Sequence, residues 1–213
     1  VTHTYLDDDP TATASDLYVI NTAVSSSETL VAPNVRFVRN LFVDALGRTA
    51  DDAGLDTLVA QLNGGSSRAT VAQSVLTSSE YRLLLVNEFY QRLLGRSADV
   101  AGLSTSVRVL ERGGRQETVI ASLIGSREYF GLAGRTNAGF VNRLYADLLH
   151  RSPSTTERSN LVGALATQTI TAVATTILNS GEYRTRIVQD LFQQFLHRPA
   201  AGTEVSTFVG LLN

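Results

Sequence analysis

The chain has 213 residues, is 43% hydrophobic and carries a formal net charge of −2, enough apolar material for a real core and too little positive charge for a nucleic-acid surface. It contains no cysteine, which excludes disulfides and thiolate metal sites, and all 18 of its basic residues are arginine, a bias that suits a GC-rich bacterial genome. No run of about 18 apolar residues occurs, so no transmembrane segment is expected.

Residues 1–34 read as an extended N-terminal arm rich in Asp, Ser and Thr. Asp7-Asp8-Asp9-Pro10 and Pro33 are turn signals, and only Leu17-Tyr18-Val19-Ile20 has the make-up of a short strand. The opening at Val1, with neither methionine nor a signal-type apolar stretch, reads as a processed protein or a piece of a larger one.

From residue 37 a block recurs four times: FVRNLFVDALGR, LVNEFYQRLLGR, FVNRLYADLLHR and IVQDLFQQFLHR, ending at Arg48, Arg96, Arg151 and Arg198. These arginines follow one another at intervals of 48, 55 and 47 residues, a period that signals stacked helical units. Apolar residues come in pairs four apart, as in Phe37/Val38, Leu41/Phe42 and Ala45/Leu46, and so wide a stripe predicts a first helix buried on two sides.

Beyond each arginine a turn leads to a second helix. In the first two copies Asp51 and Asp99 stand where a carboxylate can accept from the free amides of that helix. Its apolar positions are Leu55, Leu58, Val59 and Leu62, with Val205, Phe208, Val209 and Leu212 in the last copy. Gly64-Gly65 and Gly113-Gly114 predict left-handed helix stops. A third helix follows, with Val71, Ala72, Val75 and Leu76 matched by Val119, Ile120, Leu123 and Ile124, then by Val173, Ala174, Ile177 and Leu178. Each full unit closes on Ser-x-Glu-Tyr, read as a capped link: Ser78 to Tyr81, Ser126 to Tyr129 and Ser180 to Tyr183.

The expected fold is therefore all-α, with tandem three-helix repeats stacked into an elongated or superhelical array behind the arm. The units fall at 35–84, 85–131, 140–186 and, truncated, 187–213. Tyr129 and Phe140 lie eleven residues apart where the equivalent joins take four, and Gly131, Gly134 and Gly139 fall in this stretch. The linker 132–139 is thus read as a hinge dividing the units into two pairs.

The sequence of motifs, Leu-Leu-Gly-Arg, Asp-x-x-Gly-Leu, Gly-Gly and Ser-x-Glu-Tyr, resembles the bacterial repeat family known as domain of unknown function 4214, over roughly residues 36–213. The family looks related to the phycobilisome linker domain and is often found in secreted, calcium-associated or surface-layer proteins. The resemblance implies an adhesive or scaffolding setting, extracellular or at the bacterial cell surface, and no particular reaction. The third and fourth copies depart from the pattern at the turn, with Ser154/Glu157 and Ala201/Glu204 replacing Asp and Gly.

The recurring polar residues are the candidate anchors: Arg48, Arg96, Arg151 and Arg198, with Glu80, Glu128, Glu182 and Tyr81, Tyr129, Tyr183. Guanidinium groups could line a groove for anionic glycans, but recurrence at one position in every copy favours pairing inside the repeat. His150 and His197 stand where the earlier copies have Gly47 and Gly95, well placed against a helix C-terminal dipole. No cofactor is implied; Asp7-Asp8-Asp9 and Asp51/Asp52/Asp56 offer oxygens to calcium without the alternating acidic loop of a tight site. No phosphate loop, nucleophile elbow or zinc-spaced helix appears, so no enzyme is expected.

The fourth unit has no third helix within the sequence, and Phe195, Phe208, Val209 and Leu212 are expected to form an apolar end-face that the N-terminal arm, sequence beyond Asn213 or another molecule covers, with self-association or an arm-covered end expected. The functional expectation is a non-catalytic interaction or assembly module that contacts itself or another envelope component. The alternative is a carbohydrate-binding module that attaches to lipopolysaccharide or another envelope glycan.

Overall fold

A computed structural model describes residues 33–212, and among them the fold is all-α, without strands. The arm lies outside the described residues except for Pro33 and Asn34, which open the first helix. Proline suits that position, since its missing N–H would have had no intrahelical partner.

Twelve helices are described: α1 (Pro33–Leu46), α2 (Asp52–Asn63), α3 (Arg68–Leu76), α4 (Ser79–Leu94), α5 (Val100–Glu111), α6 (Gln116–Ile124), α7 (Arg127–Leu132), α8 (Asn137–Leu149), α9 (Thr155–Ala164), α10 (Ile170–Leu178), α11 (Gly181–Leu196) and α12 (Gly202–Leu211). Most starts are written in the sequence. Asp51, Ser67, Ser78, Asp99, Ser126, Thr136, Ser154, Thr169 and Ser180 each accept from a backbone N–H three residues on, and each such cap contributes about 1 kcal/mol. The stops after α2 and α5 use Gly65 and Gly113 at φ +96° and +80°.

Ser-x-Glu-Tyr is not a link. With only Arg82-Leu83-Leu84 or Arg184-Thr185-Arg186 between its tyrosine and the next apolar block, nothing stops the helix. The serine caps one continuous helix, α4 or α11, so the boundaries read at 84/85 and 186/187 fall inside helices. The longer join behaves differently. Gly134 turns left-handed at φ +82°, the Gly134 N–H donates to the Gly131 carbonyl and the Arg135 N–H to the Phe130 carbonyl, and α7 ends there.

That join is not a break in the packing. One core runs from Leu85 to Tyr183 and includes Leu93, Ile124, Tyr129, Phe140, Leu144 and Leu178. The Tyr129 and Phe140 rings, on either side of the supposed hinge, meet edge-on with centroids 6.0 Å apart. Within this core α6 and α10, which carry matching apolar patterns, form the most extensive helix pair among the described residues. Gly125 permits their approach, because a Cβ there would lie 2.1 Å from Thr171 Oγ1. Val38, Phe42, Leu46, Leu62, Val71 and Val75 form a separate first core, and Val188, Phe192 and Ala200 a small last one. Tyr81 packs against both the first and the middle core.

Candidate functional site

The recurring arginines build four similar nodes. Each Nη1 donates to the carbonyl of the following residue, at 3.0 Å in Arg48 and Arg96, 3.1 Å in Arg151 and 3.2 Å in Arg198. Each guanidinium lies over the aromatic ring six residues earlier: Phe42 at 5.0 Å, Tyr90 at 5.3 Å, Tyr145 at 4.9 Å and Phe192 at 5.1 Å. In the first three nodes Nε and Nη2 grip the glutamate of Ser-x-Glu-Tyr bidentately, with Nη2–Oε2 distances of 2.8 Å to Glu80, 2.7 Å to Glu128 and 2.8 Å to Glu182. The arginine at the end of one first helix is thereby tied to the first turn of the next capped helix.

A carboxylate from the turn after the arginine joins each node by one of two routes, and in the fourth node it is the arginine's one carboxylate partner among the described residues. Copies one and two use the N-cap aspartate, with Arg48–Asp51 at 3.4 Å and Arg96–Asp99 at 3.6 Å. Copies three and four use a glutamate three residues later, with Arg151–Glu157 and Arg198–Glu204 both at 2.6 Å. Glu157 also folds back to the Ser154 N–H at 2.7 Å, and Glu204 to the Ala201 N–H at 2.8 Å. The turn that departs from the family pattern therefore keeps its charge by exchanging Asp-x-x-Gly for Ser/Ala-x-x-Glu. Glycine accompanies aspartate for a steric reason: a Cβ at Gly102 would lie 2.1 Å from the Tyr90 hydroxyl, and one at Gly54 3.2 Å from Phe42 Cζ. The paired change at these two positions was visible in the sequence; its meaning needed the arginine's position in space.

The arginines hold Glu80, Glu128 and Glu182 below the usual glutamate range, and Glu157 and Glu204 down to about 2, where the backbone N–H at the helix start adds to the arginine. Of the motif tyrosines, Tyr81 is half-buried while Tyr129 and Tyr183 are buried. The Tyr129 hydroxyl donates to Asp147 at 2.9 Å, and Arg143 bridges Asp147 at 3.2 Å to the Leu93 carbonyl at 3.0 Å. Burial raises the Tyr129 hydroxyl strongly and pushes Tyr183 up to about 12. His150 and His197 take the left-handed conformation at φ +53° and +51°, as Gly47 and Gly95 do at +65° and +69°.

Among the described residues no group of three His, Cys, Asp or Glu could hold a metal ion. Asp51 is engaged by Arg48 and the Gly54 N–H, and His3 and Asp7-Asp8-Asp9 lie outside the described residues.

The end-face is present with a changed membership. Phe208 and Leu212 are exposed and Phe195 is half-buried, but Val209 turns inward against Val188, Phe192 and Ala200. The absence of a third helix leaves Val209 covered, because its side of α12 meets α11. Leu191, Leu196 and Leu211, which the sequence reading did not include, are exposed and complete the face. Together with Phe208 and Leu212 they line an apolar groove of about 320 Å³.

Residues 25–85 match the model of the family described as Domain of unknown function (DUF4214). Comparison with curated proteins and with solved structures gave no match. Among the described residues no helix is long and apolar enough to cross a membrane.

Proposed function

We propose that this chain, whose residues 25–85 match that family's model, is a non-catalytic assembly module of a secreted or cell-surface bacterial protein. Its contact surface is the apolar face of α11 and α12, and its occupant is the same face of a second copy. The observation that carries the reading is a mismatch between equivalent positions. Leu46 and Leu62 are 8% and 9% exposed, packed in one core with Val71 and Val75 of α3, whereas their counterparts Leu196 and Leu212 are 53% and 36% exposed. A groove lined only by Val, Leu and Phe is a contact site rather than an ordinary solvated surface.

A second copy fits because the chain already buries apolar surface by setting like against like: α6 and α10 carry one sequence pattern and pack on each other. Two identical faces meeting about a two-fold axis would repeat that solution between molecules. The envelope setting rests on the family resemblance, and the internal pairing of the recurring arginines supports an architectural role for the recurring polar residues.

Sedimentation equilibrium over a concentration series tests the reading. Dimerisation of the unaltered chain is expected, with loss of the dimer in Leu211→Asp; Leu211 is 74% exposed, so the monomer's melting temperature should hold. A chain that stays monomeric at high concentration refutes it.

A further inference from the structure

The recurring arginines spend most of their donors inside the nodes, and two arginines outside the nodes face a pocket instead. Arg127 begins α7 and Arg135 follows its end, and both line a pocket of about 370 Å³ between α7 and the start of α10. Neither guanidinium has a hydrogen-bond or ion-pair partner among the described residues, and the lining contains no acidic side chain. A half-buried aromatic ring, Phe130, forms one wall, braced by Phe140 at 6.4 Å, and Ile170 contributes an apolar surface from α10. Gly131 leaves the mouth open, since a Cβ there would meet nothing within 4 Å.

The pocket is a product of the long join. In the other copies the residue after the motif tyrosine is Arg82 or Arg184, inside an unbroken helix. Here it is Phe130, and the helix stop that follows hydrogen-bonds the Arg135 N–H to the Phe130 carbonyl, which sets the Arg135 backbone at the edge of the pocket that both residues line. Arg135 is held at φ +57°, a backbone conformation that L-residues other than Asn, Asp and His rarely adopt, at a residue that lines the cavity.

We infer that this pocket binds a carboxylated sugar of the uronic-acid type. Guanidinium forks match a carboxylate bidentately, and the phenyl and isoleucine walls suit the apolar face of a sugar ring. A volume near 370 Å³ falls at the small end of the range for ligand sites, about 300–1,000 Å³. The site is separate from the α11–α12 face and does not depend on how the chain assembles.

Isothermal titration calorimetry on the full chain with D-glucuronate, D-glucose and inorganic phosphate tests the inference, together with Arg127→Gln and Arg135→Gly. Glycine is compatible with a positive φ, so Arg135→Gly removes the guanidinium without loss of fold. Glucuronate should bind, with glucose and phosphate at least about tenfold weaker. Each arginine variant should weaken glucuronate about tenfold, the effect of losing one charge-assisted hydrogen bond, at an unlowered melting temperature. Absence of glucuronate binding overturns the site, as does binding that survives both replacements. Phosphate binding as tight as glucuronate overturns the sugar assignment.

Discussion

At the scale of single residues, the left-handed helix ends give the simplest test of the backbone. Gly47 and Gly95 adopt positive φ without a Cβ penalty, while His150 and His197 meet the same demand with a side chain attached. His150 gains a contact with Arg186, whereas His197 has none among the described residues. His197→Gly should therefore stabilise the chain by roughly 1 kcal/mol in urea titration. The Asp-x-x-Gly turn allows a converse test. Gly102→Ala drives a methyl group toward the buried Tyr90 hydroxyl and should destabilise by about 1–3 kcal/mol, and Tyr90→Phe in the same chain should recover part of that loss.

The arginine nodes also make a prediction about pH. Each paired carboxylate has a folded pKa below its unfolded one, so its contribution is present above the ordinary glutamate value of 4.5 and is lost as pH falls toward the folded value, which for Glu157 and Glu204 is about 2. The melting temperature should hold near neutrality and fall between about pH 4.5 and 2, less steeply in Arg151→Ala, which has already lost the pairing. The nodes are partly solvent-exposed and salt will weaken them. At the alkaline end the signs reverse: Tyr183 resists ionisation up to about 12, so stability is lost as pH rises from the ordinary tyrosine value of 10 through that range.

At the scale of helices, most of the fold could be read from local chemistry. The capping serines, the N-cap aspartates and the Gly-Gly stops each act within three or four residues, and the structure has helix ends at all of them. The errors were of range. Treating Ser-x-Glu-Tyr as a link ignored that a cap with no stop signal after it starts a long helix. Reading glycines as a hinge ignored that residues on both sides could belong to one core, which Tyr129 against Phe140 shows. The placement of Arg127 and Arg135 at a pocket was illegible, because sequence does not tell which arginines find carboxylates and which face a cavity; repetition marked those that pair inside the chain.

At the scale of the whole molecule, the three cores of unequal size among the described residues imply unequal stability. The middle core spans two units and encloses fully buried side chains including Leu93, Ile124, Tyr129, Phe140, Leu144 and Leu178, while the last contains only Val188, Phe192 and Ala200 with Val205 and Val209 against it. Local opening free energies follow local buried apolar area. Amides of α4, α6, α8 and α10 should therefore exchange most slowly with solvent deuterium, those of α1–α3 faster, and those of α12 fastest. Phe140→Ala removes a fully buried ring at the junction of the two middle units and should cost about 3–5 kcal/mol. If residues 85–183 form one cooperative core, that single change must raise exchange in α4 and α6 as much as in α8 and α10, although the first pair precedes the glycine-bearing join. Confinement of the effect to α8–α10 would mean that the join separates two independent units, and the continuity of the core across it would then contribute no cooperativity.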